Sequence, residues 1–193
     1  MASLVPDAEA NSPNTSTTPD PIESADEPLR IGEKLAPFNP SMGPVVNTAL
    51  ELLQLKGGDV LYELGCGDGR VMVAAAGAVP GLKCIGVEYD EEFATRAREA
   101  VDAAALSDRV EVIHGNVLDV SLESATAAFV YLVPKGMKLI APGLSDLVNN
   151  RGGRVVSYVF SVPGLEPTRV EMYKGTKIYL YALSSSSGTS PGT

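Results

Sequence analysis

The sequence predicts an α/β fold with a mostly parallel, seven-stranded sheet that ends in an antiparallel hairpin and has helices on both faces. Short apolar runs of strand length alternate with longer helical patterns, which is typical of βαβ units. A glycine-rich turn follows the first apolar run, and the last two runs lie close enough together to form a hairpin. The chain has 193 residues, 45% of them hydrophobic, which suits one domain with a full core.

The predicted strands are short and apolar, and Gly, Asp or Ser bounds the first four of them. Those four are DVLYEL (59–64), KCIGVE (83–88), VEVIH (110–114) and AAFVYL (127–132). RVVSYVF (154–160) is predicted to be the fifth strand, after the turn NNRGG. Residues 169–183 are interpreted as two strands joined by Lys174, Gly175 and Thr176.

Helical patterns separate these strands. The segment RVMVAAAGAV after Gly69 has small side chains on most faces and is expected to lie very close to the sheet. Residues 90–106 form the next predicted helix, with Asp90 as its N-cap. Residues 135–149 carry apolar side chains at helical spacing, and Pro142 is expected to split or kink that helix, or to begin its second half. The apolar stripes of these helices are interpreted as core packing.

The charge is unevenly distributed. The chain has 24 acidic and 15 basic residues, a net charge of −9. Six of the acids and none of the Lys or Arg residues fall in residues 1–29, which leaves 18 acids and 15 bases in the rest. This near-neutral balance argues against a general nucleic-acid binder, which needs a strongly basic face.

Metal binding and nucleophilic catalysis have few candidate residues. The chain contains two cysteines, Cys66 and Cys84, and a single histidine, His114. No CxxC or other metal-ligand spacing can be built from them, so no metal is expected. His114 lies in a predicted strand without a matched partner and is interpreted as structural, and Cys84 as a buried apolar residue.

The two ends of the chain differ in composition from its centre. Residues 1–30 are rich in Pro, Ser, Thr and acids and are predicted to be a disordered tail, as are the Ser- and Gly-rich residues 184–193. The folded domain is therefore expected to span residues 31–183. No run approaches the roughly 20 apolar residues that cross a bilayer, and no targeting signal is recognisable, so a cytoplasmic location is expected.

The glycine-rich turn predicts a nucleotide site. The strand ends at Glu63 and Leu64, and glycines follow at positions 65, 67 and 69. A dinucleotide fingerprint would place its third glycine at Arg70. The acids Glu63 and Asp68 flank the turn, which disfavours a phosphate at the helix N-terminus and suits a ligand that carries a positive charge.

The pattern E-x-G-x-G-x-G resembles motif I of the class I S-adenosylmethionine-dependent methyltransferases, which have a Rossmann-like fold. The resemblance implies S-adenosyl-L-methionine as the cofactor. By it, Glu63 helps to hold the amino group, the glycines admit the methionine and ribose portions, and Glu88 binds the ribose hydroxyls. Tyr89 is then expected along the adenine, and Asn116 at its amino group, where the family usually has Asp. The cofactor residues implied are Glu63, Gly65, Gly67, Gly69, Glu88, Tyr89 and Asn116.

Two further stretches are similar to a narrower family. APFNPS (36–41) before an amphipathic segment, and YLVP (131–134), resemble the mitochondrial protein-lysine methyltransferases that modify the ATP synthase c subunit and the adenine nucleotide translocase. The similarity covers about residues 35–183 and implies in-line methyl transfer to a lysine of a protein substrate. The family carries an N-terminal hydrophobic segment where this chain has an acidic tail, which leaves a mitochondrial location open.

The resemblance also suggests residues for the substrate channel. Tyr131 is the first candidate for a catalytic residue, because it ends the fourth predicted strand beside the expected methyl group. It could equally pack in the core. The other candidates for the channel are Phe38, Asn39, Ser41, Pro134 and Phe160. Leu165 stands where that family tends to have an aromatic residue.

Other functions remain open at this point. A methyltransferase acting on a small molecule or on RNA is one alternative, and a non-catalytic S-adenosylmethionine-binding protein is another. Methylation of a base amino group is disfavoured, because YLVP stands where such enzymes carry N-P-P-[YF].

Overall fold

The strands form a single seven-stranded sheet in the computed structural model, which describes residue 41 and residues 43–183. In chain order they are β1 (Val60–Leu64), β2 (Lys83–Glu88), β3 (Val110–His114), β4 (Ala127–Val130), β5 (Arg154–Tyr158), β6 (Arg169–Tyr173) and β7 (Thr176–Tyr181). Their order across the sheet is β3-β2-β1-β4-β5-β7-β6. The first five strands are parallel, whereas β7 is antiparallel to both β5 and β6. The predicted sheet with its terminal hairpin is confirmed.

Helices cover both faces of the sheet, as predicted. They are α1 (Gly43–Leu53), α2 (Arg70–Ala78), α3 (Glu91–Ala103) and α4 (Pro134–Asn149), with a short 3₁₀ helix at Val117–Asp119. Buried side chains form two clusters, one on each face. The α1–α3 core includes Leu53, Leu61, Met72, Ala97, Phe129 and Ile178. The α4 core includes Tyr62, Leu64, Met137, Leu144, Leu147 and Tyr181.

Four strands are shorter than the sequence suggests. β4 ends at Val130, β5 at Tyr158 and β7 at Tyr181, each two residues before the predicted limit, and β1 begins one residue late, at Val60. β5 stops because Val159 adopts a left-handed φ of 70°, which turns the chain out of the sheet. The β6–β7 turn is also one residue shorter than predicted. Lys174 and Gly175 both have positive φ, 47° and 82°, as a two-residue hairpin turn requires, and Thr176 already belongs to β7.

The two longer helices follow the sequence signals in part. Asp90 is the N-cap of α3, and its Oδ1 accepts hydrogen bonds from the backbone of Glu92 at 3.1 Å and Phe93 at 3.5 Å. The split expected at Pro142 is wrong, because α4 runs through this residue. The carbonyl that loses its helical partner belongs to Lys138, which is exposed and therefore open to water. The buried apolar face of α4 maintains the helix across that gap.

Helix α2 lies very close to the sheet, as its small side chains suggest. The closest approach is at Gly86 in the middle of β2. A Cβ atom on Gly86 would lie 2.3 Å from Cε of Met72 and 2.8 Å from Sγ of Cys66. Met72 and Cys66 are both buried, so neither side chain has free space to move into. The α2–β2 contact therefore depends on the missing side chain at position 86.

We expect the substitution Gly86→Ala to lower the free energy of unfolding by about 1–3 kcal/mol, since it overpacks a filled core. Denaturant titration of the cofactor-free protein measures this change. Gly77→Ala is the matched control, because Gly77 lies on the exposed side of α2 and a Cβ there meets nothing within 4 Å. G77A should leave stability unchanged or raise it by up to about 1 kcal/mol. Equal effects of the two substitutions would contradict the close contact.

Candidate functional site

The glycine turn crosses from the end of β1 towards the end of β2. The backbone N–H groups of Gly65 and Cys66 both donate to the carbonyl of Val87, at 2.9 and 3.0 Å. The three glycines of the turn have φ values of 84° at Gly65, 52° at Gly67 and 76° at Gly69. Residues with a side chain rarely adopt such values, so the turn presents bare backbone to whatever lies above it.

Glu88 joins this turn to the end of β2. Its side chain is 7% exposed, and Oε2 accepts a hydrogen bond from the N–H of Gly67 at 2.8 Å. Oε1 accepts from the N–H of Asp90 at 2.9 Å. A carboxylate oxygen has two lone pairs, so each oxygen still has one with which to accept a hydrogen bond from a ligand hydroxyl.

Glu63 is the most deeply buried acid next to the turn. It is 4% exposed, and within the described residues its Oε2 is a buried atom without a hydrogen-bond partner. Burial raises the pKa of this carboxyl well above its usual value, although a backbone hydrogen bond from Met72 opposes the shift. The negative charges of Asp68 and Glu88 raise that pKa further. An unpartnered buried oxygen costs free energy, which a cationic ligand group would recover.

Asp68 does not act as the second attracting acid that the sequence suggested. Its carboxylate forms a salt bridge with Arg70, whose Nε lies 2.8 Å from Oδ1. The hydrogen bonds from Arg70 lower the pKa of Asp68, so this acid is ionised but locally neutralised. Arg70 also donates from Nη1 to the carbonyl of Ser41 at 3.3 Å. The attraction for a cation therefore depends on Glu63 and Glu88, and Arg70 ties Ser41, two residues before α1, to the glycine turn.

Two tyrosines meet at the carboxyl ends of β4 and β5. The rings of Tyr131 and Tyr158 lie 4.8 Å apart between centroids and are inclined at 61°. They are neighbours because the residues just before them, Val130 and Ser157, are paired across the two parallel strands. Both rings are half-buried against the α1–α3 core. Sequence reasoning missed Tyr158, although aligning the ends of the two predicted strands would have placed it beside Tyr131.

The predicted adenine residues lie at the ends of β2 and β3. Tyr89 is 38% exposed, and its carbonyl oxygen is 3.2 Å from Nε2 of His114. The side chain of Asn116 caps the 3₁₀ helix, since its Oδ1 accepts from the N–H of Leu118 at 3.0 Å. The adenine contacts of Tyr89 and Asn116 therefore stay predictions, and that of Asn116 needs the second lone pair of Oδ1.

The remaining channel candidates do not form one group. Phe38 and Asn39 lie outside the described residues. Ser41 is buried, whereas Pro134 is exposed as the first residue of α4. Phe160 packs with the α4 core, on the other face of the sheet from Tyr131 and Tyr158.

The cysteines and possible metal ligands offer no second reactive centre. Burial raises the pKa of Cys84 to about 12 and that of Cys66 higher still, so neither thiol ionises near neutral pH. Residues 41 and 43–183 contain no group of three His, Cys, Asp or Glu side chains placed to hold a metal ion. Within the same residues, no helix has the length and apolar character needed to cross a membrane.

These residues fit the cofactor that the motif implies. The orphaned Oε2 of Glu63 suits an ammonium group, the free lone pairs of Glu88 suit a pair of ribose hydroxyls, and the turn leaves room for close backbone approach. A nicotinamide dinucleotide fits less well, because its pyrophosphate would lie beside two buried acids.

Comparison with known proteins agrees with this fit. Residues 63–169 match the family described as the ANTKMT methyltransferase domain. A protein-lysine N-methyltransferase of Saccharolobus islandicus is 30% identical over 151 residues, which are 76% of this chain and 93% of that protein. The ribosomal protein L11 methyltransferase of Alkaliphilus metalliredigens is 27% identical, and the similarity spans 76% of this chain but only 47% of that enzyme.

A solved structure also relates the chain to methyltransferases. An RNA methyltransferase from Salinibacter ruber, in complex with S-adenosyl-L-homocysteine, superposes with a TM-score of 0.70 at 32% identity and covers 75% of this chain and 93% of its own. The fold is the Rossmann-like methyltransferase fold, and the cofactor is S-adenosyl-L-methionine.

The raised pKa of Glu63 predicts a pH dependence of stability. The folded carboxyl keeps its proton at pH values where the unfolded one, with an ordinary pKa near 4.5, has lost it. Unfolding therefore releases a proton, and stability should fall as the pH rises from about 4.5 to the folded pKa. E63Q cannot ionise, so its stability relative to wild type should increase with pH by up to about 1.4 kcal/mol per pH unit.

Denaturant titrations of the cofactor-free protein between pH 5 and pH 8 measure this difference. E99Q is the matched control, because it makes the same chemical change on the exposed surface of α3. Parallel profiles for wild type and E63Q would show that Glu63 is ionised in the folded state throughout.

Proposed function

Because the chain belongs to the ANTKMT methyltransferase domain family, we propose that it is a protein-lysine N-methyltransferase. The observation that supports lysine as the acceptor is the match to the lysine-modifying relative, which extends over 93% of that protein. Residues 30–193 carry 18 acids against 15 bases, a slight acidic excess that is compatible with a basic protein segment as substrate.

In the proposed enzyme, the glycine turn and the two buried acids hold the cofactor, which supplies a methyl group on a positively charged sulfur. Glu63 accepts from the amino group, and Glu88 accepts from the ribose hydroxyls while its bonds to Gly67 and Asp90 keep it in place. Tyr89 and Asn116 flank the adenine. Each of these roles asks only for binding and orientation, because no proton has to move at these atoms during transfer.

The acceptor amine enters, in this proposal, where β4 and β5 end. A lysine ammonium must lose its proton to water before its nitrogen can attack the methyl group, and the loss of hydration on partial burial lowers the pKa of that amine. Tyr131 lies beside the cofactor turn, since the residues just before Tyr131 and Gly65, Val130 and Leu64, are paired across β4 and β1. Holding nitrogen, methyl and sulfur in line supplies much of the rate enhancement, about 7–11 kcal/mol in favourable cases.

RNA is the second candidate substrate, because the Salinibacter ruber structure is that of an RNA methyltransferase and is 32% identical. The charge of this chain does not favour it. Acidic residues outnumber basic ones by 24 to 15, whereas contact with a phosphate backbone needs clustered Lys and Arg.

Methyl transfer from radiolabelled S-adenosyl-L-methionine to cell extract tests the proposal. We expect label in a protein band that survives ribonuclease, is lost on proteolysis, and yields methylated lysine after acid hydrolysis. Label that ribonuclease removes, or that stays in small molecules, would contradict a lysine substrate. No labelling by a protein that binds S-adenosylhomocysteine would favour a non-catalytic binding role.

Variants of the two acids connect this activity to the site. E63Q should weaken binding of S-adenosyl-L-methionine by about 1.5–3 kcal/mol, since Glu63 can give up its proton when the amino group binds and become its charged partner, whereas Gln cannot. Calorimetry measures the affinity, and E99Q should bind as wild type does. Unchanged affinity in E63Q would exclude Glu63 from the cofactor site.

A further inference from the structure

A strained turn follows β5. Val159 has a φ of 70°, and the N–H of Phe160 donates to the carbonyl of Tyr158 at 2.9 Å. A hydrogen bond between residues two apart around a central positive φ defines a γ-turn of the rare, strained kind. A β-branched valine is among the least suited residues for this conformation.

The surrounding structure imposes this conformation from two sides. The N–H of Val159 donates to the carbonyl of Lys177 in β7 at 2.9 Å. The hydroxyl of Ser157 donates to the carbonyl of Phe160 at 2.8 Å, and Ser157 is fully buried. Strained backbone persists only where such neighbours over-determine it, and it is concentrated at functional sites.

A buried tyrosine completes the restraint. Tyr181 is fully buried, and its hydroxyl accepts from the N–H of Val162 at 2.8 Å. The chain leaving β5 is therefore fixed at positions 159, 160 and 162. As a result, Tyr158 packs with the α1–α3 core and Phe160 packs with the α4 core, on opposite faces of the sheet.

We propose that Tyr158, together with Tyr131, forms the aromatic wall that receives the cationic acceptor amine, and that the strained turn at Val159 positions the Tyr158 ring. This inference rests on the proposed function and names the residues that give it its acceptor specificity. The wall lies at the carboxyl ends of parallel strands, where α/β proteins bind ligands. Aromatic faces attract a positively charged amine, and the same contact stabilises the positive charge that forms on the nitrogen as it accepts the methyl group.

Substitutions at Tyr158 test the wall. Y158F keeps the ring, and Y158L keeps apolar bulk without a π-face. With poly-L-lysine as acceptor, Y158L should lower kcat/KM about tenfold, the worth of one partly desolvated cation–π contact, while Y158F stays near wild type. The affinity for S-adenosylhomocysteine, measured by calorimetry, should be the same in all three proteins. If Tyr158 only fills the core, Y158L and Y158F will have equal kcat/KM.

Substitution at Val159 tests the positioning. Gly accepts a positive φ without strain, so V159G should not lower the unfolding midpoint, and its kcat/KM for poly-L-lysine should fall because the ring is less constrained. A105G is the matched control. Ala105 also has a positive φ, 54°, in the loop after α3, so A105G changes backbone freedom elsewhere and should keep wild-type kinetics. Wild-type kinetics in V159G would overturn the positioning role.

A binding measurement tests the aromatic wall separately from the proposed methylation of lysine. Nα-acetyl-L-lysine methylamide is titrated by NMR into protein saturated with S-adenosylhomocysteine, with the norleucine analogue as the uncharged comparison. Binding of the lysine compound that Y158L weakens supports the wall, even if wild type transfers no methyl group to poly-L-lysine. Transfer that Y158L leaves intact overturns the wall but not the lysine function. Neither binding nor transfer in wild type overturns both.

Discussion

The carboxylate of Glu88 links the elements on which the site depends. It accepts one hydrogen bond from the turn after β1 and one from the residue that caps α3, so a single buried side chain fixes the ends of two strands and the start of a helix. If this side chain were lost, two backbone N–H groups in a poorly hydrated region would be without partners. The position of the turn thus depends on the acid that is also proposed to bind the ribose.

The charges around the glycine turn explain why the site suits a nucleoside with a cationic group rather than a dinucleotide with a pyrophosphate. Arg70 cancels the charge of Asp68 at the start of α2, and Glu63 lies behind the turn with an oxygen unsatisfied. A phosphate would face two buried acids there, whereas an ammonium group would complete the coordination of one of them. The helix N-terminus, which attracts anions in dinucleotide-binding proteins, is in this way converted to the opposite specificity.

Local signals in the sequence predicted most of the fold. The limits of β2 and β3, the Asp90 cap and the final hairpin follow from alternation, capping and turn chemistry, all of which act over a few residues. The errors arose where distant contacts decide the outcome. β5 ends early because Lys177 and Tyr181 restrain the chain after Tyr158, and α4 passes Pro142 because its apolar face is buried.

The residues of the candidate site also divide into those that local sequence signals predicted and those that depend on distant contacts. Motif spacing predicted the glycine turn, Glu63 and Glu88, which lie together in the structure. The Asp68–Arg70 pair and the contact between Tyr131 and Tyr158 depend on side-chain direction and on strand register, which the motif does not encode. Phe160 lies two residues after Tyr158, where strand alternation would put both side chains on one face, but the turn at Val159 places Phe160 on the opposite face.

The direction of β7 has a practical consequence for handling the protein. Tyr181 pairs with Val155 near the start of β5, so β7 ends on the side of the sheet where the parallel strands begin, away from the cofactor turn. Ser41, by contrast, is bonded to Arg70 at the turn itself. A linker or surface attachment after β7 would leave the cofactor turn accessible to a large protein substrate. A fusion partner joined directly before Ser41 would instead begin beside that turn.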